Sequence, residues 1–98
     1  IKAWRGIGWC SFISQKHEQA MKYYEKIIEQ KPLAIDYMNA GHVAWVMGDI
    51  QKASVFYGKA ITASGNRERF LEMFHKDEEA LLKQGVREED IPLMLDLL

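Results

Sequence analysis

The chain repeats itself at an interval of 33 residues. Trp4-x-x-Ile7-Gly8, Ala20-x-x-x-Tyr24 and Pro32 are followed by Tyr37-x-x-Ala40-Gly41, Ala53-x-x-x-Tyr57 and Gly65. Tyr24-Glu25-Lys26-Ile27-Ile28 falls on Tyr57-Gly58-Lys59-Ala60-Ile61, and Gln15-Lys16 falls on Gly48-Asp49, with no insertion between the copies. A period of this length marks stacked supersecondary units, none of which can bury its apolar face alone. The small residues have a steric reason. Two antiparallel helices that cross closely need one wherever their backbones approach, and large residues fill the space beside it. Gly8, Gly41, Ala20 and Ala53 are the small partners, and Trp4, Tyr37, Tyr24 and Tyr57 the large ones. A constraint of this kind points to a binding surface rather than to a reaction.

Helical periodicity and breaker residues place six helices. The first two run from about Lys2 to Ile13 and from about His17 to Gln30, with Ala20, Tyr23, Tyr24, Ile27 and Ile28 on one face. Pro32 closes that unit. A third helix covers about Ala34 to Met47 and stops at Gly48, where a left-handed residue is cheap. Asp49 is an N-cap for a fourth helix over about Ile50 to Ala63. Beyond Asn66 the repeat decays. A long fifth helix, Arg67 to Gln84, carries Phe70, Met73, Phe74, Leu81 and Leu82, and Gly85-Val86 stops it in a Schellman-type turn. A short last helix runs from about Glu89 to Leu98. The chain thus divides into a first unit, 1–33, a second, 34–66, and a degenerate third helix with a C-terminal cap, 67–98.

The spaced residues resemble the tetratricopeptide repeat family, whose unit of about 34 residues reads Trp-x-x-Leu-Gly-x-x-Tyr, then Ala-x-x-x-Phe, then Pro. Trp4, Ile7, Gly8, Ala20, Tyr24 and Pro32 satisfy it in the first unit, and Tyr37, Gly41, Ala53, Tyr57 and Ala60 in the second. Ser11 and Ala44 depart from it where the family carries a Tyr, and Ala40 where it carries a Leu. The resemblance implies an all-α fold: antiparallel helical hairpins stacked in a right-handed superhelix, here two full repeats plus a capping helix and a short C-terminal helix. It also implies a non-catalytic protein–protein interaction module that binds on its concave face.

The first helix of each unit lines that face, so the period defines rows across it. One row is Lys2, Ile35 and Glu68, and the next Arg5, Met38 and Leu71, with Asn39 beside it. Further rows are Trp9, His42, His75 and Phe12, Trp45, Glu78. From these rows, Arg5, Trp9, Phe12, Met38 and Asn39, together with His42, Trp45, Leu71 and His75, are the candidate partner contacts. Tryptophans at such a surface suit a peptide, because they bury a large area at low entropic cost. The same residues also suit a core that fills the space left at Ser11 and Ala44. Some relatives clamp acidic C-terminal peptides with Lys, Asn and Arg. Only Arg5 and Asn39 stand at such positions, Trp9 replaces an Asn, and Glu68 and Glu72 would repel a carboxylate.

Ile91 to Leu98 is apolar nearly all round and must be covered on more than one side. Four readings follow from the sequence: Leu93, Leu97 and their neighbours close the end of the array, the helix turns back into the groove, it mediates self-association, or it docks on another part of the parent protein. Composition narrows the rest. The alternatives to an interaction module are a regulatory or RNA-associated helical repeat, or an oligomerisation or accessory tail of a larger protein; a net charge of -1 argues against the nucleic-acid groove that the RNA reading needs. No apolar run of about 18 residues suggests a membrane span. Metal-ligand spacings such as Cys-x-x-Cys or His-x-x-x-His are absent, and nothing orients Cys10 for catalysis, so no metal, cofactor or catalytic residue is expected. One cysteine and no signal-like stretch favour the cytoplasm. The opening at Ile1, within an apparent helix, reads as the C-terminal part of a longer array.

Overall fold

The computed structural model describes residues 1–98. Seven helices follow one another: α1 (Lys2–Ile13), α2 (His17–Ile28), α3 (Ala34–Val46), α4 (Ile50–Ser64), α5 (Arg67–Lys76), α6 (Glu78–Lys83) and α7 (Asp90–Asp96). The expected fifth helix is therefore two, broken at Asp77.

The first two units are hairpins, α1 against α2 and α3 against α4, and α2 stacks on α3. Their closeness rests on the repeated small residues. Ala20 and Ala53 have no exposed surface, and Tyr24 and Tyr57 are buried beside them. A Cβ built on Gly8 would lie 3.1 Å from the Tyr24 ring, and one on Gly41 only 2.6 Å from the Tyr57 ring. The tyrosine of the second helix thus occupies the space that a side chain on the first would need. Each first helix ends in the same turn, because a left-handed residue lets the next amide close back on the last helical turn. Lys16 donates to the Ser11 carbonyl at 2.8 Å across Gln15, and Asp49 to Ala44 at 2.9 Å across Gly48. Gln15 has φ 64°, so the first unit places a non-glycine residue where the second has Gly48 at φ 91°. Side-chain caps start two helices: Asp49 accepts from the Lys52 amide at 3.0 Å, and Asn66 from the Arg69 amide at 2.9 Å.

The third unit fails for a reason visible at one position. One period after Gly8 and Gly41 stands Phe74, fully buried against Tyr57 and His42. A phenyl ring at the point of closest approach leaves no room for a crossing helix. The chain continues instead: a third turn on the same period would fall at residue 81, whereas the next left-handed glycine is Gly85, where Val86 donates to the Leu81 carbonyl. The added length carries α6 back to the first unit. Gln84 donates to the Phe12 carbonyl at 2.7 Å and meets His17 Nε2 at 2.8 Å. This return explains a radius of gyration of 12.2 Å, close to the ~13 Å of a globular chain of this size.

α7 is anchored by Ile91 and Met94, both buried, with Leu95 and Leu98 half-buried behind them. The expectation that Leu93 and Leu97 close the array is corrected. They are 62% and 63% exposed, because the spacing of Ile91 and Met94 selects one face of so short a helix and turns the other outward.

Candidate functional site

α1 and α3 are joined by one ion pair. Asp36, in the first turn of α3, is fully buried, and its carboxylate accepts from Arg5 Nε at 2.7 Å and Nη2 at 2.8 Å. The same carboxylate accepts from the Leu33 amide at 2.7 Å, so it caps its own helix as well. Asp36 did not emerge from the period, since its counterpart in the first unit is Ala3. Arg5, read as a partner contact, is instead committed to this pair, with its side chain 29% exposed.

A second polar link ties α3 to the α5–α6 segment. His42 has no exposed surface, and its ring lies among Phe12, Tyr57 and Phe74. Its Nδ1 is 2.6 Å from the Tyr57 hydroxyl and its Nε2 is 3.0 Å from Asp77 Oδ2. Burial lowers the His42 pKa, and hydrogen bonding to Asp77 opposes that shift. Burial raises the Tyr57 pKa well above the ordinary value. The consistent assignment is a neutral imidazole that donates from Nε2 to Asp77 and accepts the Tyr57 proton at Nδ1. A Tyr-His-Asp chain of this geometry has the parts of a proton relay. With His42 fully buried, it holds helices together rather than meeting a substrate. The helix breaks at the residue that supplies its carboxylate, Asp77.

This link carries a pH dependence. The unfolded chain binds a proton at His42 near pH 6.5, and the folded chain binds it only at lower pH, so stability is full above that value and falls as pH drops. Between pH 7.5 and 5.5 the loss from this one group is bounded at about 1.4 kcal/mol. His42→Gln should flatten the urea-midpoint profile relative to the parent. Parallel profiles for the two proteins would rule out His42 as the source.

The candidate contacts separate by burial. Phe12, Met38, His42 and Trp45 belong to the core, with exposures of 0%, 1%, 0% and 7%. Phe12 and His42 are covered by the α5–α6 segment, through Gln84 and through Phe74 and Asp77, and Trp45 keeps only an edge, which borders α7. Trp9, Asn39 and Leu71 are half-buried, and only His75 is exposed. Asn39 Oδ1 and the hydroxyl of Tyr24 are both buried, and the hydroxyl's one polar side-chain neighbour is Asn39. The rows do not carry over as drawn: Phe12 stacks on His42, one row away, at 6.5 Å between ring centroids, and α5 departs further. His75 does not join His42, as expected from the period, but pairs with Glu78 on the surface. Phe74 and Asp77 approach His42 in its place. α5 has rotated by one residue because Phe70 and Phe74, not Leu71 and His75, gain most from burial.

What remains open on this side is a cleft of about 330 Å³ between α1 and the returning segment. Trp9, Ile13 and Gln15 form one wall, and Lys76, Asp77, Glu79, Ala80, Lys83 and Gln84 the other. Trp9 packs on Phe12 at 5.4 Å between ring centroids, which fixes its ring at the cleft edge. Lys83 and Glu79 pair at 3.3 Å while remaining largely exposed, so the polar wall is readily rearranged. No group of three or more His, Cys, Asp or Glu side chains converges to hold a metal. No helix is long and apolar enough to cross a membrane.

Neither a curated protein nor a solved structure matches the chain. A family model does, twice: the tetratricopeptide repeat covers residues 1–32 and 37–67, which is more than half of the chain and coincides with the two hairpins. Repeats of this kind are generally protein–protein interaction modules and not catalysts. By its two matched repeats and the glycine-tyrosine packing that builds them, the chain belongs to the tetratricopeptide repeat family.

Proposed function

We propose that this unit accepts a peptide segment of a partner protein in the cleft between α1 and α5–α6. The observation that carries the reading is an aromatic and aliphatic wall, Trp9 and Ile13, facing a wall of loosely paired charges across an open space. Trp9 is half-buried, and Ile13 is 55% exposed. An apolar side chain of the partner lies against Trp9, where a large, rigid ring contributes most to binding. Lys76, Lys83 and Glu79 meet the flanking polar groups. Of the residues read from sequence, Trp9 is the direct contact. Phe12 packs behind Trp9, His42 holds Asp77 in the opposite wall, and Arg5 fixes α1 relative to α3. An RNA strand is disfavoured, since it needs an excess of cations, whereas this wall mixes Lys76 and Lys83 with Asp77 and Glu79.

Peptides selected from a displayed random library against the whole chain test the proposal. Trp9→Ala should weaken the selected peptides by roughly 1–2 kcal/mol, about five- to thirtyfold. Val55→Ser, on the exposed side of α4, should leave them unchanged. Equal affinity for the parent and Trp9→Ala would place the peptides elsewhere and end the proposal.

A further inference from the structure

A second surface lies away from this cleft. Ile50, Leu93 and Leu97 are 45%, 62% and 63% exposed, and all three line one groove of about 540 Å³. Trp45 and Met94, both buried, complete its apolar lining. The only charged residues lining it are Asp90 and Asp96. Arg67 reaches α7 from α5 but spends a donor on the Leu95 carbonyl at 2.9 Å and does not line the groove. Arg87 is paired with Glu89. The groove is thus apolar within and acidic at both ends of α7. Its moving parts are held: Arg67 pins α7, and Ile91 and Met94 tie it to the core.

The geometry points to a docking site for a short amphipathic helix of another protein, with apolar anchors one turn apart and a Lys or Arg on either side. Leu93 and Leu97 stand one helical turn apart, and ridges so spaced pack into the side-chain grooves of a second helix. Asp90 and Asp96 are about 9 Å apart along the α7 axis at 1.5 Å per residue. Cations about six residues apart on the partner helix match that spacing. The two carboxylates also decide against a second copy of this chain. A symmetric pairing through the groove would set Asp90 and Asp96 against themselves, a like-charge contact in a partly dehydrated site. A basic partner turns the same charges into attraction, which acts mainly on specificity and association rate.

The test uses two labelled peptides of about 16 residues, long enough to form a helix on binding. Both carry leucines four apart, and they differ only in flanking Lys or Glu. Binding to the whole chain is read by anisotropy and by Trp45 emission in a Trp4→Phe/Trp9→Phe background. The Lys peptide is expected to bind about tenfold or more tightly than the Glu peptide, with the advantage shrinking as salt rises. Asp90→Lys/Asp96→Lys should reverse that order. Leu93→Ser/Leu97→Ser should abolish binding of both peptides without altering the thermal melt, since both leucines are already mostly exposed. Equal binding of the two peptides, or an order that survives charge reversal, overturns the inference. So does a dimer in the parent that Leu93→Ser/Leu97→Ser makes monomeric, because the groove would then belong to a second copy. The Trp9→Ala variant separates the two surfaces: it should leave the Lys peptide unaffected, and a matching loss would assign that peptide to the α1 cleft.

Discussion

Gly41→Leu is expected to destabilise the chain by about 3 kcal/mol or more, at the upper end of overpacking effects, and to be the most damaging of the glycine substitutions. The reason is the Tyr57 ring, which would stand 2.6 Å from the first added carbon. Tyr57 cannot yield, because Trp45, Phe70 and Phe74 pack edge-on around it and its hydroxyl is bonded to His42. A graded series makes the prediction sharper. Gly41→Ala should cost more than Gly8→Ala, whose added carbon meets the Tyr24 ring at 3.1 Å. Gly6→Ala and Gly58→Ala meet nothing within 4 Å and should stabilise their helices by about 0.5–1 kcal/mol. Urea midpoints for the four alanine variants check the order. If Gly41→Ala matched Gly6→Ala, the close crossing of α3 and α4 would be disproved.

Arg5→Met should cost about 3 kcal/mol, because it leaves the Asp36 carboxylate buried without its cation. The Leu33 amide would remain as a partner, but one neutral donor does not replace a bidentate guanidinium. The double change Arg5→Met/Asp36→Asn should recover more than half of the loss, since a neutral amide keeps the cap and removes the stranded charge. Denaturant unfolding of the two variants checks this. A double variant no more stable than Arg5→Met would mean that the pair acts through packing of the arginine stem alone.

The hairpins were legible because their determinants are local and repeated. A glycine on one helix and an alanine-tyrosine pair on the next occur twice at one spacing, and each copy confirms the other. The turn at Gly85-Val86 was legible for the same reason: a left-handed residue followed by an apolar one is a short-range signal. The site was less so. The period put Trp9, His42 and His75 in one row, which assumes that α5 keeps the orientation of α1 and α3. Phe70 and Phe74 overrode it, as both are fully buried and turn His75 to the surface. A phenylalanine in place of the third glycine was the available signal, readable once its steric meaning in the first two units was known.

Two features had no trace in the spacing. Asp36 was missed because a single acidic residue at the start of a helix reads as a helix-end charge, and only the fold brings Arg5 to it across 31 positions. The return of α6 to the first unit rests on Gln84, 67 and 72 positions from His17 and Phe12. Side-chain bonds over such separations follow from where helices end in space, not from any periodicity.

The repeat in the sequence therefore determined the family, the hairpins and the place where the third copy departs from the pattern, because steric fit between neighbouring helices is written residue by residue. Which surfaces face solvent was decided by tertiary structure. The chain from Phe74 onward covers Phe12 and His42, and burying them was favoured over leaving an apolar face in water. That choice closed most of the first-helix face and left Trp9 at its edge. It also turned Leu93 and Leu97 outward beside Asp90 and Asp96.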